Sequence, residues 1–284
     1  MRNYHMKIFL PFIFLFLLIS GCNIVQHEPA PVKSIEKITP QVRQNCGIGC
    51  PIGGSNTTIQ RVVYTLNNNS NTKFANWVAY LITMDSLGSG KDRNWKKDPD
   101  LSNNATLSPA DYIGANKALK VDRGHQAPLA SLAGLADWPA LNYLSNITPQ
   151  VAELNQGAWA RLEDQERALA RVGNKVFSVT GPLYEKNIGK LPNSDKKHLI
   201  PSGYWKVTYI NDSPEKSSYA AFIMEQNTPL SGNFCQYQVT VKEIEQRTGL
   251  IIWSGLPENI QQAIKSKPGK LVERMGCSII QPKY

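Results

Sequence analysis

The chain has 284 residues, 42% of them hydrophobic and 19% charged, with six Trp and eleven Tyr. That length and apolar content allow a substantial core and exclude a disordered polymer. With 31 basic against 22 acidic side chains the formal charge is +9, which favours anionic partners such as nucleic acid, anionic lipid or acidic glycan.

The chain opens with Arg2 and Lys7, then an almost unbroken apolar run over 8–19, then Ser20-Gly21-Cys22. At 1.5 Å per residue the run is too short for ~30 Å of hydrocarbon, so 1–22 reads as a signal peptide. Ile19-Ser20-Gly21-Cys22 is similar to a bacterial lipobox, in which Cys22 is acylated and becomes the new N-terminus. Ordinary cleavage leaving a free cysteine is the alternative. Asn23, not Asp, follows Cys22, which in a Gram-negative envelope argues against inner-membrane retention and for the outer membrane. Loss of 1–21 removes Arg2 and Lys7 and leaves 29 basic against 22 acidic side chains, +7.

Five cysteines are awkward in an oxidising compartment, but a lipid on Cys22 leaves Cys46, Cys50, Cys235 and Cys277. Four suffice for two disulfides in an exported protein. The short Cys46-Gly-Ile-Gly-Cys50 loop predicts a local bridge, and Cys235–Cys277 then staples the C-terminal region. A metal site from these four cysteines is the other reading, but C-x3-C has no histidine partners nearby.

Residues 23–45, with Pro29, Pro31 and Pro40 and no apolar periodicity, read as a flexible tether. No further linker or repeat follows, so 46–284 is expected to be a single domain. Strands are expected at 61–66 and 76–83, separated by the turn-rich Asn67–Asn71, and 85–110 is loop-like. Helical spacing runs from Asn155 to Val172, through Ala158, Leu162 and Leu169. Strands resume at 175–180, 204–210 and 219–224, and a short helix over 241–247 closes at Gly249. Strands around one long helix, without βαβ alternation, imply an α+β fold with a mainly antiparallel central sheet flanked by helices.

Histidine is scarce. His5 lies in the signal and His27 in the tether, which leaves His125 and His198 for a folded site. His125 stands in Val121-Asp-Arg-Gly-His-Gln-Ala-Pro128. Arg123, two residues away, shares its face in an extended segment. Such a pair suits a phosphodiester: the arginine holds phosphate while the imidazole takes a proton from water. By itself the pattern also fits a surface or satisfied core histidine.

Asp122-Arg123-Gly124-His125 resembles the DRGH signature of the DNA/RNA non-specific endonuclease family, which has a ββα-metal active site. The likeness, which is close to the secreted Serratia-type branch, extends through 120–133, 141–150 and 154–166. It also takes in Asn67–Ser70, Arg93-Asn-Trp-Lys96, Thr180–Tyr184 and Thr248–Trp253, nearly everything from Cys46 to Cys277. It implies hydrolysis of single- and double-stranded DNA and RNA with one Mg²⁺ (Mn²⁺ substituting), leaving 5′-phosphate ends.

The same resemblance implies roles. His125 matches the general base and Asn155 the single protein ligand of the metal, a hard-oxygen donor that suits Mg²⁺. Arg93 and Arg123 match phosphate-binding arginines. Glu163 matches a carboxylate that orients metal-bound water, Asn146 a polar residue lining the site, and Arg167 a transition-state or phosphate contact. Homodimerisation is a further expectation, as is attachment to a membrane through the N-terminal lipid.

Asn155, Trp159, Glu163 and Arg167 would form an i, i+4 ridge on one helix, with Glu163 two turns from Asn155 and acting through water. The plainer readings are an exposed Glu163–Arg167 ion pair and Asn155 as a helix N-cap. His198 is expected to be structural, Asp122 to shape its loop, and Trp77, Trp138, Trp159, Trp205 and Trp253 to be core. Lys96-Lys97 and Lys196-Lys197 read as solvated faces. The competing functions are a catalytically inactive nucleic-acid- or partner-binding envelope lipoprotein and a structural envelope lipoprotein. Localisation is expected in the cell envelope or outside the cell.

Overall fold

The computed structural model describes residues 44–278 apart from 90, 212 and 215–217. The signal peptide, Cys22 and nearly all of the tether lie outside the described residues. Asn45, expected in the tether, is already packed: its Nδ2 donates to the Arg61 carbonyl at 2.8 Å and to Thr65 Oγ1 at 3.2 Å.

Six strands form an antiparallel sheet: β1 (Thr57–Gln60), β2 (Thr65–Asn69), β3 (Phe74–Ile82), β6 (Val176–Leu183), β7 (Gly203–Ile210) and β8 (Tyr219–Glu225), in the order β1-β2-β3-β6-β7-β8. Every residue of β6 and β7 is buried, so the sheet is covered on both faces. Two further strands, β4 (Val121–His125) and β5 (Ile147–Val151), make a separate antiparallel pair. The helices are α1 (Ala115–Leu119), α2 (Leu129–Leu132), α3 (Ala152–Gln156), α4 (Ala158–Arg171), α5 (Val241–Thr248), α6 (Glu258–Lys265) and α7 (Leu271–Arg274). No helix among the described residues is long and apolar enough to cross a membrane.

Alternation along the strands sends residues to two different cores. Trp77, Phe177, Trp205, Val207 and Tyr209 pack with Val241 and Ile244 of α5 and with Trp253. Val78, Tyr80, Val176, Tyr204 and Phe222 pack with Leu154, Trp159, Leu162 and Leu169 from α3 and α4. A third core, with Phe74, Leu107, Tyr112, Val121 and Ile147, lies under the β4–β5 pair. Tyr204 Oη and Gln226 Nε2 both donate to the Pro149 carbonyl, at 2.9 and 2.8 Å, and so tie that pair to the main sheet. Disulfides join Cys46 to Cys50 and Cys235 to Cys277, the expected pairing.

Two local expectations are corrected. Asn67–Asn69 belong to β2, and 61–64 precede it. Asparagine is poor in strands because its amide competes for backbone partners. Here the amides have partners: Asn67 Oδ1 accepts from Ser55 N and Asn76 Nδ2, and Asn68 Nδ2 donates to the Ala105 carbonyl. The helix expected over 155–172 is broken at Gly157, between α3 and α4. A Cβ at Gly157 would stand 2.7 Å from the Leu230 carbonyl oxygen, so the close approach of that segment requires glycine. The α5 helix is as expected: Thr240 Oγ1 accepts from Glu243 N, and Gly249 ends it with φ 72°.

Candidate active site

Sterics place the histidine. A Cβ at Gly124 would stand 2.7 Å from Gln150 Cβ, so the close packing of β4 on β5 favours glycine between Arg123 and His125. Those two side chains then share one face of β4 and line a cleft of about 590 Å³.

The half-buried His125 ring packs against Trp95, with centroids 5.3 Å apart, and its Nε2 is 3.1 Å from Asn142 Oδ1. Asn142 donates its Nδ2 to the Asp92 carbonyl at 3.2 Å, so its oxygen is the acceptor and His125 Nε2 carries the proton. Nδ1 keeps its lone pair. Burial pushes the imidazole pKa down to about 4; the Asn142 bond opposes this and the Arg93 charge adds to it. His125 is therefore neutral near pH 7 and able to accept a proton.

Asn155 lies in the last turn of α3 and does not cap a helix. Its Nδ2 donates to Asp122 Oδ2 at 2.9 Å, where Gln156 Nε2 also donates at 2.8 Å, while Asn116 Nδ2 reaches Asp122 Oδ1 at 3.3 Å. Asp122 thus fixes which way the Asn155 amide faces, and no donor among the described residues engages Asn155 Oδ1. The described residues include no group of three or more His, Cys, Asp or Glu able to hold a metal. A single free amide oxygen fits a hydrated hard cation such as Mg²⁺, which keeps most of its waters, better than an ion that needs a cage of protein ligands.

Arg123 is sandwiched between Trp95 and Tyr112, at 5.6 and 5.3 Å from the ring centroids, and its Nη2 donates to the Pro109 carbonyl. Arg93 stands exposed at the cleft rim. Its loop is held by the buried Arg61–Asp98 pair and by backbone bonds between Lys96 and Asn142 and between Leu144 and Lys96. Glu163 and Arg167 also line the cleft. The alternative of a Glu163–Arg167 ion pair is not what the fold makes: Arg167 binds Asp164 and Ser131 Oγ, while Glu163 Oε1 lies 3.8 Å from Lys206 Nζ. Burial raises the Glu163 carboxyl to about 7, against the pull of Lys206 and with a further push from Glu166.

Asn146 is the correction. It is fully buried, accepts from Ala127 N at 2.8 Å, and donates to the carbonyls of Ala127 and Leu141. All its capacity goes to backbone, so it braces the turn after β4 and does not line the cleft. The broken helix likewise takes Asn155 off the expected ridge. His198 is structural as expected: Nδ1 meets the Lys196 carbonyl and Nε2 accepts from Leu191 N. Lys196 is no free surface cation, since its Nζ donates to the Thr106 carbonyl. Trp77, Trp159, Trp205 and Trp253 are buried and Trp138 partly so. Sequence reasoning missed Asn142, which orients His125, and Trp95, which covers it. Both lie inside stretches that carry the family likeness, but only spatial contact separates them from their neighbours.

A histidine-bearing antiparallel pair followed directly by a helix with a free amide oxygen defines a ββα-metal nuclease site. Residues 41–259 match the family of DNA/RNA non-specific endonucleases. The chain is 66% identical over 236 residues to a nuclease of Serratia marcescens, covering 82% of this chain and 89% of that protein. It is 28% identical to human mitochondrial endonuclease G over 67% of each chain. The solved structure of an EndoG/EndoGI complex shares the fold, with a TM-score of 0.63 at 21% identity, covering 77% of this chain and 94% of that one. The chain belongs to the DNA/RNA non-specific endonuclease family and is a non-specific endonuclease of DNA and RNA.

Proposed function

We propose that this nuclease hydrolyses phosphodiester bonds in single- and double-stranded DNA and RNA with one Mg²⁺, using His125 as general base and leaving 5′-phosphate ends. The observation that carries the reading is the Asn142-locked, neutral His125 in the same cleft as Arg93, Arg123 and the free Asn155 oxygen. Arg123, flattened between two rings, presents a planar fork to phosphate oxygens, and Arg93 meets the strand at the rim. His125 Nδ1 takes the proton of the attacking water. Glu163 orients water in the cleft, and Arg167, steadied by Asp164, adds positive charge near the reacting phosphate. A Mg²⁺ held by Asn155 would supply charge at the scissile phosphate and the leaving 3′-oxygen; Mn²⁺ can take its place.

The test is incubation of the chain from residue 23 onward, both disulfides formed, with supercoiled plasmid and with structured RNA, in Mg²⁺, Mn²⁺ or excess EDTA. Loss of both polymers only with metal, with 5′-phosphates on the products, is expected. Intact polymers in Mg²⁺ would refute the reading and leave the inactive binding lipoprotein in its place.

The proposal includes export and acylation of Cys22, supported by the lipobox-like 19–22 and by two disulfides suited to an oxidising compartment. Labelled fatty acid should enter the wild-type chain and not Cys22→Ala; equal labelling would refute it. Homodimerisation rests on the family likeness alone and is read by sedimentation.

A further inference from the structure

Beneath Glu163 lies a buried ion pair that the chemistry above does not use. Lys206, in the middle of β7, is fully buried; its Nζ is 2.9 Å from Glu166 Oε2 and 3.8 Å from Glu163 Oε1. The ammonium also lies over the rings of Trp159 and Tyr80, at 4.9 and 5.8 Å. Glu166 is equally buried, and its other oxygen accepts from Ser178 Oγ and from Thr208 Oγ1 at 2.7 Å. Taking two charges out of water is costly, and well-packed apolar residues of similar volume join a helix to a sheet at least as well. Holding α4 on the sheet therefore does not account for the pair.

The surrounding groups indicate what it does. Glu166 has three donors and is satisfied as a carboxylate. Arg167, the other cation on α4 near Glu163, is drawn toward Asp164 and Ser131. Tyr80 comes from β3 and Trp159 from α4 itself, and neither carries charge at neutral pH. Among the described residues, Lys206 is the cation within 4.0 Å of Glu163.

We propose that Lys206 is a positioning residue of the nuclease: held by Glu166, which Ser178 and Thr208 brace in turn, it fixes one oxygen of Glu163 so that the carboxylate stands in the cleft. The inference rests on the reading of Glu163 as the group that orients cleft water. It is consistent with the directions found for Glu163, which burial raises and Lys206, Arg167 and the Trp159 N–H lower, while Glu166 raises it. A residue of the central sheet, remote from substrate, would then set the charge and place of a group beside the reacting phosphate.

Lys206→Met alone strands the Glu166 charge and can fail to fold, so the informative variant is Lys206→Met/Glu166→Gln, which removes the pair as a neutral unit. Folding is checked by thermal melting. Without metal, ¹³C NMR follows the titration of the Glu163 carboxyl; with Mg²⁺, kcat and KM are measured on a defined duplex. The proposal expects the Glu163 midpoint to rise, by less than the ~1–3 pH units of losing an adjacent opposite charge alone, because the Glu166 charge that raises it is lost as well. It expects kcat to fall roughly 10–100-fold, as for supporting residues of metal sites, with KM nearly unchanged. In a Glu163→Gln background the same double change should cost nothing further in kcat. A folded double variant with wild-type midpoint and kcat overturns the proposal even where Glu163→Gln is inactive. A raised midpoint with an unimpaired Glu163→Gln enzyme instead refutes the role given to Glu163 and, with it, the catalytic meaning of Lys206.

Discussion

The two faces of the central sheet are built from the same strands and solve different problems. Residues 205, 207 and 209 of β7 meet Trp253 and α5 in a core of Trp, Val and Tyr, closed by the Cys46–Cys50 loop. The alternate residues 206 and 208 face α4 and carry the Lys206–Glu166 pair with its hydroxyl donors. A purely apolar face is the simpler way to stabilise a sheet, since burial of apolar area needs no directional partners. The α4 face, apolar apart from this pair and its hydroxyl donors, lies under the cleft, and there the fold spends stability on fixing charged groups. Burial in this protein therefore has two purposes, and substitutions on the two faces should separate them.

The largest expected effect is on the cleft side: His125→Ala should lower kcat by ~10²–10⁴-fold, the span of a lost general base, with the melting temperature little changed. A comparable loss of stability would show that the cleft is also structural and blur the contrast. On the apolar face, Trp205→Ala should cost about 3–5 kcal/mol of stability in denaturant titration, with kcat per folded molecule unchanged. Asp122→Ala should weaken Mg²⁺ affinity and activity roughly 10–100-fold by releasing the Asn155 amide, read by calorimetry and by plasmid cleavage.

A smaller and sharper effect concerns pH. The His125 pKa falls from 6.5 to about 4 on folding, so its contribution is present above 6.5 and is lost as pH drops toward 4. Glu163 rises from 4.5 to about 7, so its contribution is present below 4.5 and is lost as pH climbs toward 7. Between 4.5 and 6.5 the two slopes oppose. Relative to wild type, the melting temperature of His125→Ala should fall with rising pH across that window, and that of Glu163→Gln should rise. Parallel curves for the two variants would show that neither group changes its proton affinity on folding.

Much of this was legible in the chain because local signals agreed with tertiary demands. The 241–248 helix closed by Gly249 and the local Cys46–Cys50 bridge follow from short-range chemistry, and each is found as expected. The misses have tertiary causes. Asn67–Asn69 read as a turn because the amide partners, Ser55 and Asn76 for Asn67 and Ala105 for Asn68, are supplied only by the fold. Gly157 looked like one residue of a helix, but with φ −99° and ψ −116° it leaves the helix, and the Glu153 and Leu230 carbonyl oxygens lie 2.3 and 2.7 Å from where a Cβ would stand. Asn142 and Asn146 are indistinguishable by type and neighbourhood in sequence; the fold gives one to the His125 imidazole and the other to backbone.

The proposed catalysis requires a neutral His125 whose Nε2 is protonated and bound to Asn142, leaving Nδ1 as the base. ¹⁵N NMR of the histidine side chains in the metal-free protein at pH 7 tests this directly. The predicted result is a neutral Nε2–H tautomer for His125 that titrates only near pH 4. An imidazolium at pH 7, or a neutral ring with the proton on Nδ1, would contradict it.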